Sequence, residues 1–288
     1  MSDMLARAAD FVWRNARLLD RQRFAFHFEN GSRQQVVHAL LAYQNLDGGF
    51  GAALEPDLRD PSSQPVPAQH ALEVLDEVGF DETIALAVCD WLERITTDQG
   101  GVPFVLPSAR HYPHAPWWEP AEAPEASLNP TAAIVGLLVK NGVQHHWVER
   151  ASAYCWQAIE QVQSDDMHAL GCVLTFLQYT PDQERANRIF DDLGRNMLAN
   201  NVIAPADAEG YVRKASEWAP QPDHPLRRII PPEMLAADLT RLQNDQAGDG
   251  GWPIAWQPPS PSANWEWRGW VTVNALRTLR DNGLLGQP

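Results

Sequence analysis

Residues 39–54, "ALLAYQNLDGGFGAAL", join the end of an apolar helical segment to a Gln, an acidic residue, two glycines and an aromatic residue. Nearly the same order returns near the other end of the chain, in residues 239–256, "LTRLQNDQAGDGGWPIAW". A helix-and-turn unit that is used more than once predicts an architecture built from internal repeats. The pattern therefore indicates the fold before it indicates any chemistry.

Helical periodicity dominates the rest of the chain, and few windows alternate apolar and polar residues as strands do. The sequence predicts an all-α protein whose helices form consecutive pairs. The predicted helices span 3–19, 33–44, 66–79, 81–97, 130–142, 147–163, 166–179, 182–200, 232–244 and 267–283. Apolar helices alternate with amphipathic ones, which favours two layers, with stacked hairpins that close into a ring around the apolar helices.

Two long Pro-rich stretches interrupt the helices, at 107–128 and 204–232. Proline prevents a continuous helix, and loops of this length in a compact domain usually form lids or binding loops. Their tryptophans favour loops that pack against the helices. The whole chain, 1–288, is predicted to form one domain.

Composition restricts the class of partner. The formal charge of −15 and a pI near 4.9 argue against nucleic acid and against an anionic membrane surface. The longest apolar run, 132–139, is far shorter than the roughly 20 residues that span a bilayer. The N-terminal segment lacks the features of a signal peptide, so we expect a cytoplasmic protein without integral membrane association. Three cysteines without metal-binding spacing predict reduced thiols and no metal site.

Three stretches of the chain carry a family resemblance: "YQNLDGGFG" (43–51), "TTDQGGVPF" (96–104) and "LQNDQAGDGGWP" (242–253). They resemble the Gln-Trp repeat of squalene-hopene cyclases and the matching turns of protein prenyltransferase β subunits. The resemblance implies a single α/α toroid whose turns tie neighbouring hairpins together. In that arrangement the glycines permit the turn, and the Gln binds backbone groups at helix ends.

The stretch "VQSDDMHAL", 162–170, lies where class II terpenoid cyclases carry an Asp-x-Asp-Asp motif. The resemblance implies that Asp165 is the acid that protonates an alkene or epoxide, with Asp166 beside it. His168, three residues after Asp165, would lie on the same helix face and could tune that acid; the alternative is a core histidine whose hydrogen bonds are satisfied. Gln163 departs from the motif, which removes a carboxylate that would help to keep a proton on the acid. The alternative is structural, because acidic residues at a helix start also cap its free N–H groups.

Aromatic and acidic residues are candidates for the wall of a substrate cavity. Aromatic rings stabilise carbocations or stack on sugars, but they also pack loops against helices. The proposed substrate-binding residues are Asp57, Trp117, Trp118, Glu119, Trp265, Glu266, Trp267 and Trp270.

The resemblance implies a terpenoid-cyclase-like protein that acts on or binds an isoprenoid-type apolar molecule in a central cavity. No cofactor is expected, except Mg²⁺ if the substrate is a diphosphate. Arg227 and Arg228 form a local basic cluster that could bind such a diphosphate. A carbohydrate-active enzyme is one alternative, because two carboxylates and tryptophan subsites suit a glycosidic bond. A non-catalytic toroid that binds a small molecule or a protein is another. In that case the acidic motif would be capped and exposed. Oligomeric state stays open.

Overall fold

The computed structural model describes residues 3–162 and 166–285. Helices dominate the described residues, which confirms the all-α prediction. The α-helices are α1 (Asp3–Asn15), α2 (Leu18–Phe28), α3 (Arg33–Leu41), α4 (Pro65–Val78), α5 (Glu82–Ile95), α6 (Leu128–Lys140), α7 (His146–Ala158), α8 (Met167–Tyr179), α9 (Gln183–Ala199), α10 (Ala215–Trp218), α11 (Pro232–Asn244) and α12 (Pro261–Asp281). Short 3-10 helices span Pro107–His111, Pro116–Trp118, Ile159–Gln161 and Pro225–Arg228. Strands β1 (Ile203–Ala204) and β2 (Arg213–Lys214) form a short parallel pair.

Three helix predictions need correction. The predicted helix 3–19 is two helices, and α2 was missed because its buried face carries the charged residues Asp20 and Arg23. The last helix begins at Pro261 instead of 267, because the Ser260 hydroxyl accepts a hydrogen bond from the Ala263 N–H and proline occupies the first turn. The short helix α10 lies inside the predicted loop 204–232.

The chain divides into two compact units. Unit 1 combines Met1–Ala39 with Asp191–Pro288, and unit 2 is Leu40–Phe190. The division leaves the single-domain prediction untested.

In unit 2, α6 lies against α4, α7 and α8. Most residues of α6 are buried, as its apolar sequence predicts. Gly136 allows the close approach of α8, because a Cβ at this position would lie 2.6 Å from the Thr175 carbonyl oxygen. The apolar helices α4, α6 and α8 therefore form the interior of this unit.

In unit 1, α12 packs against α1 and α2. The core includes Phe11, Phe24, Trp252 and Leu276. A buried ion pair accompanies it, since Arg23 donates to Asp20 (3.1 Å) and to Asn274 (2.8 Å), and its guanidinium lies 4.0 Å from the centre of the Trp270 ring. Pairing satisfies these charges where solvent is excluded.

Three turns repeat the same backbone, and we call them the first, second and third Gly-Gly turns. In each turn, the residue four positions before the second glycine donates its N–H to the carbonyl oxygen of that glycine. The carbonyl oxygen of this same residue accepts a hydrogen bond from the N–H of the first glycine. The pairs are Asn45/Gly49, Thr97/Gly101 and Ala247/Gly251, all with N···O distances of 2.9–3.0 Å. The first glycines, Gly48, Gly100 and Gly250, have φ of 91°, 97° and 95°. This positive φ explains why a glycine stands at the position, because other residues rarely adopt it.

Each Gly-Gly turn rests on a helix through two residues one helical turn apart. A Cβ added to the first glycine would approach the first of these two residues, and a Cβ added to the second glycine would approach the second. They are Ala87 and Trp91 of α5 for the first turn, Arg150 and Tyr154 of α7 for the second, and Arg7 and Phe11 of α1 for the third. Because residues i and i+4 share one helix face, the same docking surface is used three times.

The glutamine that precedes two of the turns has a more local role than the resemblance implies. Gln44 Nε2 donates to the Gly48 carbonyl (3.1 Å), and Gln246 Nε2 donates to the Gly250 carbonyl (2.9 Å). Gln246 also reaches the Met4 carbonyl in α1 (2.9 Å), which fits the expected contact with a helix end. In the second turn Thr96 stands at this position and receives a hydrogen bond from Trp147 Nε1 (2.7 Å).

None of the described helices combines the length and the apolar character that crossing a bilayer requires.

Candidate functional site

Two of the three predicted catalytic residues, Asp166 and His168, lie at the start of α8. Asp165 falls outside the described residues. Asp166 is exposed and caps α8, because its Oδ1 accepts hydrogen bonds from the N–H groups of His168 (3.1 Å) and Ala169 (3.0 Å). His168 is exposed as well. This is the placement that the helix-cap alternative expects for Asp166, while the role of Asp165 as an acid stays a prediction.

A more elaborate arrangement of charges follows the first Gly-Gly turn. We call it the acidic site, and it comprises Glu55, Asp57, Asp60, His70 and Glu73. The ring of His70 lies between two carboxylates, with Nε2 3.0 Å from Glu55 Oε2 and Nδ1 3.0 Å from Glu73 Oε2. Glu55, Asp57 and Asp60 are buried, and Asp57 is only 2% exposed. The Glu73 side chain is 36% exposed, so the site reaches solvent there.

His70 carries a positive charge at neutral pH. Burial lowers the pKa of its imidazole, but the hydrogen bonds and charges of Glu55 and Glu73 outweigh burial and raise that pKa to about 9. With both ring nitrogens protonated, each donates to a carboxylate. The imidazolium is therefore a fixed counter-ion instead of a free base.

Local hydrogen bonds hold the acidic segment in place before α4 begins. The Asp57 N–H donates to Glu55 Oε1 (3.0 Å), and the Ser62 N–H donates to Asp60 Oδ1 (2.8 Å). Gln64 Nε2 donates to Asp60 Oδ2 (2.8 Å) from the residue that precedes Pro65. Side-chain oxygens of Asp and Glu commonly bind nearby N–H groups in such irregular segments. The carboxylates are thus positioned by their own chain.

Three neighbouring helices each supply a polar side chain beside the acidic site. Gln69 of α4 donates through Nε2 to Glu73 Oε1 (2.7 Å). Its Oε1 lies 3.9 Å from the Sγ atom of Cys172 in α8, and that Sγ is 3.6 Å from Asn129 Oδ1 at the start of α6. The starts of α4, α6 and α8 therefore meet at one polar locus.

The predicted residues of the 107–128 loop have divergent roles. Trp118 is buried and stacks on Phe104, with ring centres 4.5 Å apart, as the packing alternative expects. Trp117 is exposed. Glu119 binds Arg110 (3.1 Å) and His114 (3.0 Å), and its pKa is lowered by those two partners. An isolated bridge between Leu58 and His114 brings this loop beside the acidic segment.

The predicted residues of α12 lie in unit 1. Trp267 packs edge-on against Trp256, with ring centres 5.1 Å apart, and Trp270 lies beneath Arg23. Glu266 is half-buried. Trp265 is 40% exposed and lines an open cleft of about 570 Å³. These residues and the acidic site belong to different units.

The two arginines considered for a diphosphate are already engaged. Arg227 donates to the carbonyls of Ala219 (2.8 Å) and Pro220 (3.0 Å), and Arg228 pairs with Asp191. Within the described part of the chain, no group of three or more His, Cys, Asp or Glu side chains is arranged to bind a metal ion.

Sequence reasoning missed His70, Glu73, Gln69, Asn129 and Cys172 as neighbours. One signal was available, because His70 and Glu73 are three residues apart on a predicted helix and therefore share a face. Glu55, in the segment after the first Gly-Gly turn, contacts His70, which lies 15 residues later in the chain. An irregular stretch separates the two residues, so no periodic pattern in the sequence predicts their contact.

No protein-family model matches this chain, and a search of curated proteins found no match.

Proposed function

We propose that this chain is an α/α toroid of the terpenoid cyclase and prenyltransferase type that binds a small molecule at the acidic site. The repeated docking of the Gly-Gly turns supports the toroid. The turn after α3 rests on α5, the turn after α5 rests on α7, and the turn after α11 rests on α1. Such register between successive amphipathic helices is what a ring of hairpins requires.

The chemistry of the acidic site favours a ligand with positive charge, or one on which positive charge develops. The carboxylates of Glu55 and Glu73 lie on either side of the single imidazolium of His70. Because these groups lie mostly away from water, their attraction for a cation is stronger than in solvent. An ammonium group would gain from this field, and so would a carbocation formed on an isoprenoid chain. A diphosphate would be repelled.

The observation that carries the proposal is the His70 ring held between Glu55 and Glu73 beside the starts of α4, α6 and α8. Protonation of a bound isoprenoid by Asp165, with Asp166 and His168 beside it, stays part of the proposal as its catalytic form. Binding without turnover is the non-catalytic form.

Thermal unfolding with matched ligands tests the binding. A tertiary amine bearing a farnesyl chain and farnesol share their hydrocarbon, so the difference between their Tm shifts reports charge recognition. We expect the amine to raise the Tm more than the alcohol does. The difference should shrink in Glu73→Gln and persist in Glu149→Gln, which changes an exposed glutamate of α7. Equal Tm shifts for both ligands, or an unchanged difference in Glu73→Gln, would contradict the proposal.

Product analysis separates the two forms. Mass spectrometry after incubation with farnesyl diphosphate, geranylgeranyl diphosphate and squalene, with and without Mg²⁺, should find a cyclised product in the wild type if the protein is a class II cyclase. Asp165→Asn should abolish that product. Amine binding without any product indicates the non-catalytic form.

A further inference from the structure

The open cleft beside the third Gly-Gly turn in unit 1 has a different character from the acidic site. It has a volume of about 570 Å³, within the range of small-molecule sites. Its walls come from α1, from Gly248 and Asp249 of the turn, and from Trp265 at the start of α12. A second cleft of about 480 Å³ shares Gly248 and Asp249 with it and is lined by Trp256 and Arg268. The two clefts therefore adjoin at the third Gly-Gly turn, and we call the pair the groove.

The exposed indole of Trp265 is held in place by neighbouring groups. Arg268 donates to both carboxylate oxygens of Asp249 at 2.7 Å, a bidentate arrangement that fixes the guanidinium. That guanidinium lies 4.6 Å from the ring centre of Phe11 and 5.4 Å from that of Trp265. Phe11 also packs against the Trp265 ring, with centres 6.1 Å apart. The indole is therefore held in place by its neighbours while 40% of Trp265 stays exposed.

The charges that line the first cleft balance. Each arginine that lines the two clefts already has an acidic partner: Arg14 pairs with Asp10 (2.7 Å), Arg268 with Asp249 (2.7 Å) and Arg7 with Asp3 (3.7 Å). A charged ligand gains no net attraction here. A neutral ligand with many hydroxyl groups finds both donors and acceptors.

From these features we propose that the groove binds a neutral oligosaccharide, with one pyranose ring stacked on Trp265. A pyranose presents an apolar C–H face that suits an indole, and its hydroxyl groups suit the paired charges around the ring. The second cleft, with Trp256 at its wall, takes the adjoining sugar. This site is separate from the acidic site and does not depend on the proposed function.

Titration with sugars tests the site in the full chain. The probes are neutral glucose, N-acetylglucosamine, mannose and xylose oligosaccharides with their monosaccharides, and calorimetry and saturation-transfer NMR measure binding. We expect at least one oligosaccharide to bind, and to bind more tightly than its monosaccharide because it fills both clefts. Trp265→Ala should weaken its binding about tenfold.

Trp13 offers a matched control. It is 41% exposed, lies on α1 and donates to the Glu29 carboxylate (3.1 Å), and it is not among the residues that line either cleft. Trp13→Ala should leave sugar binding unchanged, as should Glu73→Gln in the acidic site. Failure of every probe to bind at millimolar concentration would overturn the proposal. So would equal losses in Trp265→Ala and Trp13→Ala.

Discussion

The first and third Gly-Gly turns close with the same two backbone hydrogen bonds and rest on the same i, i+4 helix face, yet the segments that follow them share almost nothing. After the first turn the chain buries Glu55, Asp57 and Asp60 and pairs Glu55 with His70. After the third turn, residues 253–260 contain no acidic residue and lead instead to an open groove with tryptophans. The turn is therefore an element of architecture, whereas the segments after the turns differ in charge and burial.

The buried charges of the first region need internal partners, because an isolated carboxylate without water is very costly. The acidic site meets this need with an imidazolium and local N–H groups. In the third region the charges stay near solvent, where Asp249 and Arg268 pair at the edge of the groove. One turn geometry therefore serves two electrostatic environments.

Replacing the first glycine of a Gly-Gly turn should cause the largest loss of stability, and this loss should differ between the turns. A Cβ at Gly250 would lie 2.2 Å from the Arg7 carbonyl oxygen, and one at Gly48 would lie 2.5 Å from that of Ala87. Gly250→Ala and Gly48→Ala should each lower the free energy of unfolding by on the order of 2–5 kcal/mol, from positive φ and overlap together. Urea unfolding measures the loss.

Two further glycines supply the controls. Gly100→Ala meets its nearest atom only at 3.4 Å, so it should lose mainly the roughly 1–3 kcal/mol of backbone strain. Gly248→Ala in the third turn has open space and an ordinary φ, and it should be close to neutral. Equal losses in all four variants would show that the turns do not dock as described.

The two regions should respond to pH with opposite sign. The folded pKa of His70, about 9, is above its unfolded value near 6.5. Its stabilisation is therefore complete below pH 6.5 and is lost as the pH rises through 9, a change of about 3 kcal/mol. Chemical unfolding at several pH values measures this loss, and His70→Gln should flatten the curve over that window.

Asp249 provides the contrast. Its hydrogen bonds with Arg268 lower the pKa of its carboxyl group, so the stabilisation is present above the unfolded pKa and is lost as the pH falls through the folded pKa. Asp249→Asn should flatten the acid side of the curve and leave the alkaline side unchanged. If His70→Gln and Asp249→Asn altered the same limb, the assigned charges would be wrong.

A smaller effect should show that the second and third turns are anchored alike. The Val102 N–H donates to Thr131 Oγ1 (3.0 Å), and the Trp252 N–H donates to Thr272 Oγ1 (2.9 Å). Both threonines are fully buried. Thr131→Val and Thr272→Val keep the shape but leave a buried N–H without its acceptor, so each should lose about 1–2 kcal/mol in urea unfolding. Thr240→Val, at an exposed site of α11, should lose little.

Much of the helical content could be predicted because periodicity and capping are local. The glycine turns were also visible, since positive φ restricts the residue type wherever it occurs. Helix α2 was not predicted because Asp20 and Arg23 are residue types typical of a surface. Their burial depends on contacts of Arg23 with Asn274 and Trp270, which come from the far end of the chain. Asp57 was among the predicted substrate-binding residues, but the rest of the candidate site was missed for the same reason, since the role of His70 depends on Glu55 and Glu73 together.

Helical character and the repeated glycine turn can be read from the amino-acid sequence, because both depend on backbone preferences within a few residues. The positions of the charges follow only from the packing of the helices. This packing buried Glu55 and Asp57, surrounded the imidazole of His70 with carboxylates, and left Trp265 at the wall of an open groove. Burial and ion pairing depend on neighbours from distant parts of the chain, and these neighbours come together only once the helices have packed.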